Sequence, residues 1–586
     1  MSNQNSDELN AEQIEAVEHT KGPSVILAGA GSGKTRVLVQ KVLHLIKSKS
    51  AYPSQILMIT FTNKAASEMK KRMGQTTIGY IGTFHSLSAR ILRIEGEIIG
   101  VPQDFAIYDS IDQLSLVKSI IKKDGETRYT PGYYLHRISA AKNELISPGK
   151  YLSIFSDYQA HQVASVYTEY QKELAKNKAC DFDDLIIKVI ELFSAFPEIL
   201  DKYQDKYRYI LVDEFQDTNL AQYVLTKQLA KKYQNITAVG DFSQSIYAWR
   251  GADIKNIEKF QKDFELTKMF YLEKNYRSTA QILDFAYRVI SKNTGHPILK
   301  LHTARSGGQE IAFLEHDNEQ DEALFVASEI RRLKDSLPYS SFAVLYRTNA
   351  QSRVMEEAFL HYGIPYVLVG GTRFYERREI KDILAYLRLF VNPDDSVAEE
   401  RIVKLGKRRF SDFKKLLANI KDQAKNIPTV ELIERVFSEA GYLSLYNPDD
   451  PEDYGRLENI KELKSVALSH PDLTEFLEQV ALVESEYFKG EKKAEDENTL
   501  KVMTLHGAKG LEFDCVFIVG VEEGLIPHSR STDDQFQIEE ERRLFYVGIT
   551  RAKERLYITY TKKRFIFGRR NETIRSRFLM EDEGYE

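Results

Sequence analysis

The sequence predicts an α/β fold of parallel sheets, interrupted twice by long helical stretches. Three observations predict it. Short apolar runs recur, among them Val25–Leu27, Ile56–Thr60 and Tyr209–Val212, and each ends in small or polar residues. Runs of that length and character suit strands buried on both faces. Helix-periodic segments follow them, as in Arg36–Ile46, which is the alternation that builds parallel sheets. Two further stretches read as mostly helical: about 90–184, where no nucleotide chemistry is visible, and about 386–498, which is also polar.

Bulk composition sets the bounds. The chain has 586 residues, which at about 150 residues per domain suggests roughly four domains. Hydrophobic residues make up 42% and charged residues 28%, enough apolar material to bury several cores. The net charge of −5 does not announce a nucleic-acid binder, but binding needs only a local basic groove. Two distant cysteines, Cys180 and Cys515, exclude a disulfide framework and a cysteine-based metal site, and fit a reducing compartment. The polar, acidic stretch from Met1 to Leu9 is no signal peptide. No apolar run approaches the roughly 20 residues of a membrane span, and no internal repeat stands out.

The first element is a short amphipathic helix after Asn10, a plausible N-cap. Its Gln13 can donate to and accept from an adenine edge at once, although an exposed glutamine is the default expectation. Next comes the strand at Val25, a turn of Ala28, Gly29, Ala30, Gly31, Ser32 and Gly33, and then Lys34-Thr35 at the head of a helix. Glycines let backbone N–H groups face an anion, and a helix N-terminus adds its positive end. Lys34 reaches outer phosphates and the Thr35 hydroxyl can ligate Mg²⁺. Where the strict loop pattern opens on Gly, this chain has Ala28.

Two more strands end in aromatics beside small polar groups, Ile56–Thr60 before Phe61 and Gly79–Thr83 before Phe84-His85. Ligands collect at such strand ends, and single-strand bases stack on such rings. Loop signals fall at Thr130-Pro-Gly132 and Ser147-Pro-Gly149. Tyr209–Val212 then delivers Asp213 and Glu214, a metal ligand and a base for the attacking water. Ile236–Gly240 leads to Gln244, placed to sense a phosphate, and to Tyr247, Trp249 and Arg250. In an extended segment Tyr247 and Trp249 share one face as coplanar rings for stacking. Arg277, far in sequence from the first loop, is a candidate finger over a γ-phosphate, with Tyr276 beside it to stack on adenine. Phe342–Arg347, Tyr366–Gly371, Val502–Phe513, Cys515–Val519 and Arg555–Thr559 read as strands of a second α/β layer and their ends. Glu540 and Arg543, on one helix face, suit a surface ion pair, and Arg551 is a second candidate finger.

The ordered set resembles the UvrD/Rep/PcrA group of superfamily 1 DNA helicases from Leu9 to about Leu579. The blocks are the Gln13 motif, Ala-Gly-Ala-Gly-Ser-Gly-Lys-Thr35, Thr-Phe-Thr-Asn-Lys-Ala, Thr-Phe-His85, Val-Asp-Glu-Phe-Gln-Asp217, Gly-Asp-x-x-Gln-Ser-Ile-Tyr247, Asn-Tyr-Arg-Ser-Thr279, Thr-Leu-His-x-Ala-Lys-Gly-Leu-Glu-Phe513 and Val-Gly-Ile-Thr-Arg-Ala552. The Ala28 form of the loop is that group's own. The resemblance implies two RecA-like P-loop motor domains, each with a mostly helical insertion, with ATP between the motors and DNA across both. It implies a first motor at 1–90 and 185–275 with its insertion at 91–184, and a second at 276–385 and 499–586 with its insertion at 386–498.

By resemblance, Gln13 reads adenine, Arg36 and Tyr276 sandwich it, and Glu512 contacts ribose. Thr35 and Asp213 hold Mg²⁺, Glu214 is the base, Gln244 senses the γ-phosphate, and Arg277 and Arg551 are fingers. Phe61, Asn63, His85, Tyr247, Trp249, Arg250 and His506 line the DNA path. The implied activity is ATP-driven 3′-to-5′ movement with duplex unwinding in repair or replication. The implied partners are single-stranded DNA, single-strand/duplex junctions and repair or replication proteins. No membrane is involved, and the location is cytoplasmic at the nucleoid. A translocase that strips proteins from single strands is the second reading, and an ATP switch that binds DNA without moving is a third. The second insertion is short for the group, and its Gly-Ile-Gly turn reads Lys407-Arg-Arg-Phe-Ser411. The chain is also expected to lack the long C-terminal tail of larger relatives and any nuclease domain.

Overall fold

The computed structural model describes residues 9–124, 129–305, 307–420, 423–494, 498–566 and 569–581. Residues 1–8, most of the segment judged above to be no signal peptide, lie outside them. The chain divides into two compact units, Met1–Ser306 and Gly307–Glu586. The sequence places the start of the second motor at residue 276, whereas the units divide after Ser306.

The first unit is built on six parallel strands. Their order is Tyr80–Thr83, Ile56–Thr60, Tyr209–Val212, Ile236–Gly240, Ser24–Ala28 and Lys268–Leu272. The inner strands are buried along their whole length, so side chains pointing either way need cover. Val25, Leu27, Leu57 and Ile59 pack on one side with Phe84 and Leu185. Ile26, Ile56, Met58 and Val239 pack on the other with Val37, Leu38 and Val42 of the helix Lys34–Lys47. The outer strand Lys268–Leu272 shows no strong signal in the sequence because it is only partly buried.

The insertion in this unit folds around its own core of Val117, Tyr134, Ile138, Tyr167 and Tyr170. It also contains a short parallel pair, Ala106–Tyr108 with Ala179–Asp181. The Pro-Gly signals, read as loops, open helices instead: Thr130 caps Pro131–Asn143 and Ser147 precedes Pro148–Ile154. Proline suits a first helical position because its missing N–H has no partner there anyway. Lys142 is 1% exposed. Its Nζ lies 2.6 Å from Asp181 and 2.8 Å from Asp184, and the Tyr170 hydroxyl donates to the same Asp181. One residue on, Asn143 accepts a hydrogen bond from Asn219 Nδ2 at 2.6 Å, fastening the insertion to the sheet's carboxyl edge.

The second unit repeats the plan with the strand order Ala312–His316, Ala552–Thr561, Phe513–Ile518, Phe342–Tyr346, Leu500–Thr504 and Tyr366–Leu368, all parallel. Its helical insertion has a separate core that includes Ile383, Tyr386, Phe413, Val436, Leu463 and Phe476. Lys407–Ser411 is the first turn of the helix Lys407–Ile420, after Gly406 at φ 133°. The helix Pro451–Ser469 docks on its motor through Arg353–Glu462 at 2.7 Å, Arg377–Asn459 at 2.8 Å and His528–Glu458 at 3.2 Å. No helix among the described residues is long and apolar enough to cross a membrane.

Candidate active site

The loop after Ser24–Ala28 turns sharply because Gly31 and Gly33 adopt φ 67° and 87°, which side chains other than glycine's disfavour. Close packing adds a second constraint. A Cβ on Gly31 would lie 2.7 Å from both Arg277 Cβ and Asn275 Nδ2. Ser32 Oγ donates to Gly29 O at 2.8 Å. Gly33 caps the helix Lys34–Lys47 without any side-chain acceptor, so its leading N–H groups remain for an anion.

Asn10 caps the helix Ala11–Glu18 in a reciprocal box with Gln13. Gln13 is 1% exposed rather than solvent-facing. Its Oε1 accepts from Asn10 N at 3.1 Å, and its Nε2 donates to Ser32 O at 2.9 Å. The amide thus braces the phosphate loop, with a second Nε2 hydrogen left over. Arg36 Nη2 is buried without a hydrogen-bond partner, and Tyr276 is 42% exposed, both on this unit.

At the end of Tyr209–Val212, Asp213 is 4% exposed and its Oδ1 is buried with no hydrogen-bond partner. Burial, reinforced by the charge of Glu214 and opposed by that of Lys34, pushes its carboxyl up to about 7. A buried carboxylate oxygen without a donor fits a hard divalent cation. Among the described residues no group of three or more His, Cys, Asp or Glu could hold a metal ion.

Glu214 sits at φ 50°, ψ 44°, a strained conformation of the kind found at active sites. Gln216, which the sequence did not single out, is fully buried and holds it: Nε2 donates to Glu214 Oε2 at 2.5 Å. The other end of the same amide accepts from Asp241 N at 3.0 Å. Its backbone carbonyl accepts from Ser245 Oγ at 3.0 Å. Asp241 in turn accepts from Gln244 Nε2. A Cβ on Gly240 would strike Gln216 Oε1 at 2.5 Å. The acidic strand end and the Gln244 turn are therefore one hydrogen-bonded unit.

Asn275 fixes the next block. Its Nδ2 donates to Ala30 O at 2.6 Å and its Oδ1 accepts from the Arg277 and Ser278 N–H groups. Tyr276 N donates to Gly31 O at 3.0 Å. Arg277 therefore stands against the phosphate loop of its own compact unit.

The aromatic platform differs from the expectation. Tyr247 and Trp249 are not coplanar, because Ala248–Arg250 is a 3₁₀ turn closed by Gly251 at φ 83°, and the rings meet at 61°. Phe61 supplies the parallel partner: its ring lies 5° from that of Tyr247, with centroids 6.2 Å apart. Arg250 covers Trp249 at 4.5 Å, and Trp249 is 51% exposed. Asn63 begins the helix after Phe61 and is exposed. His85 packs edge-on against Phe182 at 5.8 Å, and burial pulls its imidazole below the usual range.

In the second unit, Arg551 is 1% exposed and donates to Val547 O, Leu511 O and Thr550 Oγ1. Phe513 N donates to Arg551 O at 2.9 Å, which sets Glu512 beside it, 3.1 Å from Lys553. His506 opens a short 3₁₀ turn after Leu500–Thr504. Arg543 is 4.0 Å from Glu539 and feels the charge of Glu540, and at 2% exposure it is buried, not on the surface as expected.

The family model described as the UvrD/REP helicase N-terminal domain matches residues 9–265, and that of the UvrD-like helicase C-terminal domain matches 270–438 and 407–563. The chain is 43% identical to the ATP-dependent DNA helicase PcrA of Bacillus subtilis (strain 168), over 99% of this chain and 86% of that protein. It is 41% identical to the proteins of the same name in Staphylococcus aureus (strain Mu50) and Staphylococcus epidermidis (strain ATCC 12228), over 98% of this chain and 86% of each.

Proposed function

Because the chain belongs to the UvrD/REP helicase family, we propose that it couples ATP hydrolysis at the loop 29–35 to 3′-to-5′ movement along single-stranded DNA. It is an ATP-dependent DNA helicase of repair or replication. The observation that carries the coupled reading is the position of Gln216, while the polarity is drawn from family likeness. One buried amide touches the catalytic carboxylate and the turn that presents Tyr247.

Thr35 and Asp213 would hold Mg²⁺, which when bound neutralises charge on the outer phosphates. Glu214 takes the proton of the attacking water. Its Oε2 is held by Gln216, so its position follows that of the Asp241–Ser245 turn. Lys34 and Arg277 supply positive charge against the loop, and Arg551 and Glu512 are assigned to nucleotide contact by family likeness. Phe61, Tyr247 and Trp249 offer ring faces to unpaired bases, with Arg250, Asn63, His85 and His506 along the same path. The substrates are single strands and single-strand/duplex junctions, which sets its work in the cytoplasm at the nucleoid.

Strand separation on a 3′-tailed duplex, with a 5′-tailed control and with ATPase rates measured with and without single strands, tests this. Unwinding of the 3′-tailed substrate alone is expected, and unwinding of the 5′-tailed one alone would reverse the polarity. A second reading, a translocase that displaces bound proteins with little unwinding, is favoured by the continuous helix at Lys407–Ser411. Its signature is DNA-stimulated ATPase without strand separation.

A further inference from the structure

The helix Lys34–Lys47 buries a lysine that the hydrolysis chemistry does not use. Lys41 is 3% exposed. Its Nζ donates to Ala16 O at 2.7 Å and to His19 O at 2.5 Å. Both acceptors belong to the C-terminal end of the helix Ala11–Glu18, whose cap is His19, where carbonyls have no partner within the helix. The opposite end of that short helix is anchored too, through Gln13 Nε2 on Ser32 O. One helix is thus bolted at its front to the phosphate loop and at its back to the phosphate-loop helix.

Lys41 stands two helical turns after Lys34, on the same face. Among the described residues no carboxylate offsets its burial, and burial alone pushes the amine down to about 7. A methionine would fill the space without that cost. What the lysine adds is a pair of donors at the negative end of a helix dipole.

We propose that Lys41 is a positioning residue for base recognition: by fixing the back of the helix Ala11–Glu18 it sets where Gln13 meets the nucleotide base. The proposal rests on the reading that Gln13 contacts adenine. Lys41 touches no part of the nucleotide and acts only through the helix.

Steady-state kinetics of the full chain with single-stranded DNA, titrating ATP and then GTP, tests it. Lys41→Met should lower kcat/KM for ATP by about tenfold, mainly through KM, and that for GTP by less than about twofold, as removing a base-specific hydrogen bond does. Lys41→Arg, which keeps the donors, should restore most of the preference. Adding Lys41→Met to Gln13→Ala should cost nothing further, because both remove the same interaction. Equal losses for the two nucleotides, or additive losses in the double variant, would overturn the proposal. Gln13→Ala with unchanged preference would instead overturn the adenine reading on which it rests. Should Lys41→Met fail to fold, Lys41→Leu, which also lacks the donors, is read in the same way.

Discussion

Removing the carboxylate of Glu214 isolates the chemical step at a single side chain. Glu214→Gln should lower the ATPase rate by roughly 10²–10⁴-fold, the usual worth of a positioned base. Binding of labelled single strands, followed by fluorescence anisotropy, should persist, since the rings of Phe61 and Tyr247 are untouched. Lys34→Ala should do the same through lost phosphate charge. Lys41 makes a different prediction, about stability. Its amine sits at about 7 in the fold against 10.5 unfolded, so the folded state binds that proton less tightly. The stability it costs is therefore fully lost below about 7 and regained as pH rises toward 10.5. Denaturant titrations of the wild type and Lys41→Met across that range should show the wild type gaining on the variant as pH rises. His19, Glu15 and Lys268, which face the same corner, are present in both proteins. None of this is visible in the sequence, where Lys41 reads as one more solvated helix charge. Gln216 is hidden for a related reason: a glutamine between acidic residues carries no sign of which carbonyls and amides it will bridge.

At the scale of elements, the strands were legible because burial on both faces demands unbroken apolar runs, as in Ile56–Thr60 and Ile236–Gly240. The polar residues that follow them mark the site for the same reason. The strand Lys268–Leu272 was not legible, because an edge strand needs cover on fewer positions. The Tyr247–Trp249 geometry was also hidden, since a 3₁₀ turn and an extended segment place alternate residues differently and only the left-handed Gly251 separates them. Phe61→Ala or Tyr247→Ala should weaken single-strand binding by about 1–3 kcal/mol, the worth of one base stack. Basal ATPase without DNA should change far less. Lys142 governs the inserted element. Lys142→Met leaves Asp181 and Asp184 buried without their cation, and should destabilise the protein by about 3–5 kcal/mol in chemical denaturation.

For the whole molecule, a net charge of −5 leaves nucleic-acid binding to local groups of basic and aromatic side chains. Lys407 and Arg408 open a helix of the second insertion, and the Arg408 side chain is 97% exposed. Charge reversal at both should reduce affinity for a single-strand/duplex junction and lower the salt slope by roughly one for each phosphate no longer neutralised. Single-strand-stimulated ATPase should be retained, and electrophoretic binding assays at several salt concentrations separate the two. The amide pair Asn143–Asn219 has a mechanical consequence. Asn219 follows the catalytic strand end, and Gly251, at the foot of the aromatic platform, is packed against both asparagines. Any displacement of that edge during a hydrolysis cycle is therefore delivered as load to the helix Pro131–Asn143, with this pair acting as the pin of a lever.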